Sequence, residues 1–120
     1  MSEFFGFAID FKTNAHAYYA YRQTWPNKAA LAPYMSRYTN PKFFHNFRIA
    51  DYGWNKGSYW FLLADDPRGE LNGVITLTPR VTRHAGSVVW LCGYAARKDT
   101  GKSAEVRTTI KKQYLPGICQ

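Results

Sequence analysis

The chain has 120 residues, 46% of them hydrophobic and 20% charged, which is one domain's worth of sequence and excludes wholesale disorder. A domain of this size buries about two-thirds of its unfolded surface, so it can hold a core without metals. No run of eighteen apolar residues exists, so no segment as written reads as a membrane-spanning helix, and Met1-Ser2-Glu3 does not read as the start of a secretory leader. Sixteen Lys and Arg oppose eight Asp and Glu, a net charge of +8, and aromatic residues make up 18%. Basic charge interleaved with rings suits nucleic acid, because cations meet phosphates and rings stack on bases. The same composition also serves a small β-rich domain that uses Tyr, Phe and Trp in its strands.

Residues 3–22 read as a helix: Phe4, Phe7, Ala8, Phe11, Ala15 and Tyr18 recur at spacings of three and four. Glu3 and Arg22 suit the two ends of its dipole, and Trp25-Pro26-Asn27 stops it, with Trp25 expected to pin the helix end to a sheet. Lys28 to Arg37 reads as a short helix interrupted by Pro33. Asn40-Pro41 and Tyr52 to Gly57 read as turns, with Phe43 to Ile49 extended between them.

The second half reads as three strands, Ser58–Ala64, Val74–Thr78 and Ser87–Cys92. Asp65-Asp66-Pro67-Arg68-Gly69 forms the first turn, Val74 to Thr78 alternates as a half-buried strand, and Pro79 ends it. Trp54, Trp60 and Trp90 are expected to pack on or between strands. The predicted fold is α+β, an N-terminal α-helix packed on an antiparallel β-sheet meander, in a single domain spanning 1–120.

Cys92 and Cys119 are the two cysteines, and no C-x-x-C occurs, which excludes a zinc ribbon or thioredoxin motif. From the residues alone, two buried free thiols and a disulfide both remain open. The penultimate position of Cys119 favours the disulfide, since a chain end needs tying down.

Catalytic signals are poor, and no cofactor or metal is expected. His16, His45 and His84 lack metal-ligand spacing. Asp65-Asp66 is turn chemistry, and Gly101-Lys102-Ser103 lacks the upstream glycine and strand of a phosphate-binding loop. The sequence reads as a non-enzyme.

Several pieces of the chain, in order, resemble type IV pilins. A helix ending Ala17-Tyr18-Tyr19 precedes Trp25-Pro26; Gly73 to Pro79 is followed by Gly86 to Cys92, with Trp90-x-Cys92; and the chain closes on Tyr114-Leu115-Pro116-Gly117-Ile118-Cys119. The resemblance covers residues 4–26 and 73–120 and leaves 27–72 as a variable connecting segment. It implies that 1–26 is the end of a long N-terminal helix, that 73–120 holds the sheet, and that Cys92 bonds to Cys119 around a C-terminal loop on the filament exterior. It also implies a major or minor subunit of an extracellular bacterial pilus, with other pilins as partners. Such subunits are stored in the inner membrane through a hydrophobic N-terminal helix. That helix does not appear in this sequence, so a truncated pilin or a soluble pilin mimic is expected.

The loop carries Arg97, Lys98, Lys102, Arg107, Lys111 and Lys112 against Asp99 and Glu105, an excess of four positive charges and half the chain's net charge. These six residues are the candidate polyanion-binding set. DNA, a neighbouring subunit or an adhesion surface are its candidate partners, with Tyr94 and Tyr114 as candidate stacking rings. Lys42, Arg48 and Lys56 are candidates to extend the basic face. A stand-alone nucleic-acid-binding module is the alternative reading.

Overall fold

The structure, a computed structural model, describes residues 2–55, 57–82, 87–95 and 108–120. It is a small α+β fold: helices α1 (Ser2–Arg22) and α2 (Lys28–Met35), then strands β1 (Arg48–Asn55), β2 (Ser58–Ala64), β3 (Gly73–Val81) and β4 (Val88–Cys92). The strands form one antiparallel sheet in the order β1-β2-β3-β4. Two single-turn 3₁₀ helices, Lys112–Tyr114 and Gly117–Cys119, lie at the chain end.

The apolar spacing of α1 sets its seat on the sheet. Phe4, Phe7, Ala8, Phe11 and Ala15 are all buried, one face of a 3.6-residue period. Phe11 meets Phe61 edge-on at 5.1 Å and Tyr59 at 5.0 Å, and Phe7 meets Phe61 at 5.3 Å. Edge-on pairs of this kind add about 0.5–1.5 kcal/mol beyond the area they bury. Register puts Tyr52 and Trp54 of β1, Tyr59, Phe61 and Leu63 of β2, Ile75 and Leu77 of β3, and Trp90 and Cys92 of β4 on this same helix-covered face.

Trp25 does pin the helix end. Its ring stacks on Tyr19 at 4.3 Å and abuts Trp90 at 5.4 Å, while the Tyr59 hydroxyl donates to the Pro26 carbonyl at 2.7 Å. Glu3 serves more than the dipole: its carboxylate accepts from the His45 N–H at 3.0 Å and the Asn46 amide at 3.2 Å, tying the following loop to the start of α1.

The middle segment departs from expectation. Residues 27–72 hold α2 and β2 where the sequence predicts a short helix and a strand, and add β1, which it does not. Helix α2 is capped by the Asn27 side chain, which accepts from the Ala30 N–H, and it ends at Met35. Residues 43–47 are not extended; Phe44 and Phe47 are buried and stack at 4.5 Å, folding the segment back onto Phe7.

Residues 52–55 are strand, not turn. Asn55 pairs with Ser58, so the connection is two residues long, and Gly57 supplies its positive φ of 84°. Gly53 has a different reason to be glycine: a Cβ there would lie 2.6 Å from the Trp60 ring, which crosses it.

Two further expectations change at β3. Pro79 lies inside the strand, opposite Trp90. Strand β2 begins at Ser58, so past Thr78 β3 has no β2 neighbour, and the proline's missing donor interrupts no ladder bond there. The strand is also buried on both faces from Ile75 to Thr78, rather than half-buried. Thr78 shares a hydrogen bond with Ser58 at 2.7 Å, and Thr76 with Thr108 at 2.8 Å, so these polar side chains are satisfied inside.

Candidate functional site

Cys92 and Cys119 form a disulfide with Cα atoms 4.6 Å apart, and both residues are buried. The bond joins the end of β4 to the last turn of the chain. Gly93 follows Cys92 with φ of 60°, and a Cβ there would stand 2.6 Å from the Cys119 carbonyl oxygen, so the approach of the two segments requires glycine. The Tyr94 N–H donates to that same carbonyl at 2.9 Å.

Ahead of the disulfide, the returning chain lies along the part of β3 that β4 does not reach. The Thr109 N–H donates to the Val74 carbonyl at 2.8 Å. The Thr109 hydroxyl accepts from the Val74 N–H at 2.8 Å, and Thr108 accepts from the Thr76 N–H at 3.2 Å. Ile110 and Leu115 are buried in the core, and the Gln120 side-chain amide donates to the carbonyls of Lys112 and Leu115. Residues 108–120 are therefore a docked wall, not a free tail.

Of the six basic residues singled out from the sequence, Lys111 and Lys112 stand on this wall, both exposed. Arg97, Lys98, Lys102 and Arg107 lie outside the described residues, as do Asp99, Glu105 and His84. The Lys112 ammonium sits 5.4 Å from the centre of the Tyr94 ring, and the Tyr94 hydroxyl donates to the Ile110 carbonyl. Tyr94 is thereby a structural prop beneath Lys112, not an open stacking face. Tyr114 is half-buried, and its side chain makes no hydrogen bond among the described residues.

Facing this wall is the turn between β2 and β3. The Asp66 carboxylate accepts from the backbone N–H groups of Leu71 at 2.8 Å and Arg68 at 3.1 Å, which hold its pKa below the ordinary carboxylate range. The Asn72 side chain accepts from the Asp66 N–H at 2.9 Å, and Gly69 takes a φ of 74°. Asp65 pairs instead with Arg48. The adjacent carboxylates are thus divided between a turn and an ion pair.

Between the wall and the turn lies a cleft of about 370 Å³, lined by Asn46, Arg68, Glu70 and Tyr114 among others. A second lobe of about 330 Å³ adds Asn72, Thr109 and Lys111 and shares Arg68, Glu70 and Tyr114 with the first. Arg68 entered the sequence analysis only as a turn residue. No local signal marks it, because Lys111, which lines the same cavity, is 43 positions away in the sequence.

The other basic candidates are dispersed. Arg48 is ion-paired with Asp65, Lys42 is exposed on the loop after α2, and Lys56 lies outside the described residues. His16 is exposed on α1, and the His45 ring lies 3.7 Å from Glu3. Among the described residues no three His, Cys, Asp or Glu side chains gather as a metal site, and no helix is long and apolar enough to cross a membrane. Comparison with protein-family models, with curated proteins and with solved structures finds no match to this chain.

Proposed function

We propose that the chain is the globular head of a type IV pilin-like subunit, a structural and non-catalytic component of an extracellular bacterial filament. The observation that carries this reading is the way the chain closes. An N-terminal helix covers one face of an antiparallel meander, and a terminal cysteine, Cys119, returns to the Trp90-x-Cys92 strand end as the resembling sequences imply.

The basic C-terminal region, Lys111 and Lys112 with the charges of the preceding loop, is the outward face that draws DNA or other polyanions. Contacts of this kind are insensitive to sequence and weaken steeply with salt.

Two experiments test the reading. Immunogold labelling of cells carrying the gene should decorate extracellular filaments with an antibody to this domain; label confined to the cell interior refutes the filament. For the polyanion face, duplex DNA binding is followed across a salt series with Lys98, Lys102, Lys111 and Lys112 changed to Gln. Loss of four phosphate contacts should reduce the salt slope by about 3 to 4. An unchanged slope refutes this face as the contact surface. Intracellular label with strong DNA binding would instead select the stand-alone nucleic-acid module.

A further inference from the structure

The cleft between the β2–β3 turn and the C-terminal wall carries chemistry that a polyanion surface does not need. Its cations, Arg68 and Lys111, are exposed and have no ion-pair partner among the described residues. A carboxylate, Glu70, stands in the same cleft, half-buried and likewise without a hydrogen bond or ion pair among the described residues. Two amides, Asn46 and Asn72, and the half-buried Tyr114 also line it, as does a second carboxylate, Asp66, whose oxygens are taken up by the N–H groups of Arg68 and Leu71.

A phosphate chain would meet Glu70 as a repulsive charge with few hydroxyls to donate to it, and a neutral ligand has no use for two cations. A ligand that sets separate carboxylates among several hydroxyls uses every part. A carboxylate accepts two O–H bonds, a guanidinium grips a carboxylate by its fork, and an aromatic side chain covers apolar C–H surface. Volumes of about 370 and 330 Å³ in two joined lobes suit two or three sugar rings.

We propose that this cleft binds an acidic saccharide of the uronate class. Arg68 and Lys111 hold its carboxylates, Glu70 and the two amides hold its hydroxyls, and Tyr114 lies against the sugar. The proposal rests on the cleft and not on the filament reading, so either can fail alone.

The discriminating residue is Glu70, because the two chemistries give its removal opposite signs. If the cleft merely attracts negative charge, Glu70→Gln tightens binding. If Glu70 accepts sugar hydroxyls, the same change weakens it.

The test is calorimetric titration of the full chain, at about 0.15 M salt, with trigalacturonate, neutral trigalactose and a short single-stranded DNA of equal charge. Trigalacturonate should bind best. Arg68→Gln with Lys111→Gln should weaken it by about tenfold or more, Glu70→Gln should weaken it several-fold, and Arg22→Gln, at the exposed end of α1 and outside the cleft lining, should leave it unchanged. Tyr114→Leu removes the ring that covers the sugar while keeping apolar bulk, and supplies a second reading should Glu70→Gln fail to fold; it too should weaken binding. The proposal is overturned by absent trigalacturonate binding, by tightening with Glu70→Gln, by an equal loss with Arg22→Gln, by Tyr114→Leu without effect, or by DNA binding as well through the same residues.

Discussion

Reduction of the Cys92–Cys119 disulfide is expected to destabilise the protein without freeing its C-terminal wall. The bond closes a loop with a sequence separation of 27. In the chain-entropy treatment, opening a loop of that length returns about 3.5 kcal/mol of freedom to the unfolded state. The native wall has other fastenings. Thr108 and Thr109 bond to β3, Ile110 and Leu115 are buried, and Gln120 closes the last turn. The loss should therefore appear as a lower unfolding free energy rather than as local release. Urea titrations with and without reductant throughout should show the midpoint fall by roughly 1 to 3 M. Native-state hydrogen exchange of the reduced protein should keep the Thr109 amide protected alongside those of β3. Two results refute the reasoning. A midpoint shift below about 0.3 M would mean that the unfolded-state term is absent. Exchange of Thr109 at the free-peptide rate, with β2 and β3 still protected, would mean that the covalent bond alone holds the wall.

Phe11→Ala removes the ring on which Phe7, Tyr59, Phe61 and Trp90 converge; thermal or urea denaturation should show a loss of about 3 to 5 kcal/mol, and a loss under about 1 kcal/mol would contradict this packing. Gly53→Ala places a methyl 2.6 Å from the Trp60 ring, so it should cost about 1 to 3 kcal/mol and shift tryptophan fluorescence, whereas a neutral result would mean that the ring does not lie there. The Asp10 carboxylate accepts from the Tyr34 and Tyr38 hydroxyls at 2.6 Å each, and these bonds hold its pKa below the ordinary value. Its contribution is present at neutral pH and lost as pH falls below about 4 toward the depressed native value, so Tyr34→Phe with Tyr38→Phe should flatten the acid limb of a melting-temperature profile. An identical acid limb in that variant would remove Asp10 from the account.

The sequence made α1 legible because a buried helix face imposes a period that Phe4, Phe7 and Phe11 display openly. Strand β1 was hidden by two local irregularities. The register shifts between Ile49 and Asp51, so that Ile49, then Tyr52 and Trp54, face the helix. A bulge of this kind breaks the alternation by which a strand is recognised. Gly53 then reads as a turn residue, although its lack of a side chain makes room for Trp60, seven positions on. At β3 the alternation was present but misleading. Thr76 and Thr78 look like solvent-facing residues, yet their hydroxyls bond inward to Thr108 and Ser58, partners 32 and 20 positions away. Polar side chains that are satisfied at long range cannot be told from exposed ones by local pattern.

The same reasoning explains why half of the cleft went unread. Lys111 announces itself within a basic stretch, but Arg68 belongs to a turn whose grammar is complete without it. Asp66 locks that turn through the N–H groups of Arg68 and Leu71, and Asn72 holds Asp66 in return. The opposite wall is locked separately, by Thr109 on Val74 and by the disulfide. Each wall thus has its own fixed backbone, so the cleft stands formed before any ligand enters and little ordering entropy is lost on binding. Long side chains such as Arg68 and Lys111 are the parts left to move. A site of this design discriminates by the charges its rigid backbones present, which is why the sign of the Glu70 effect, more than the size of any lysine effect, separates a saccharide cleft from a merely basic surface.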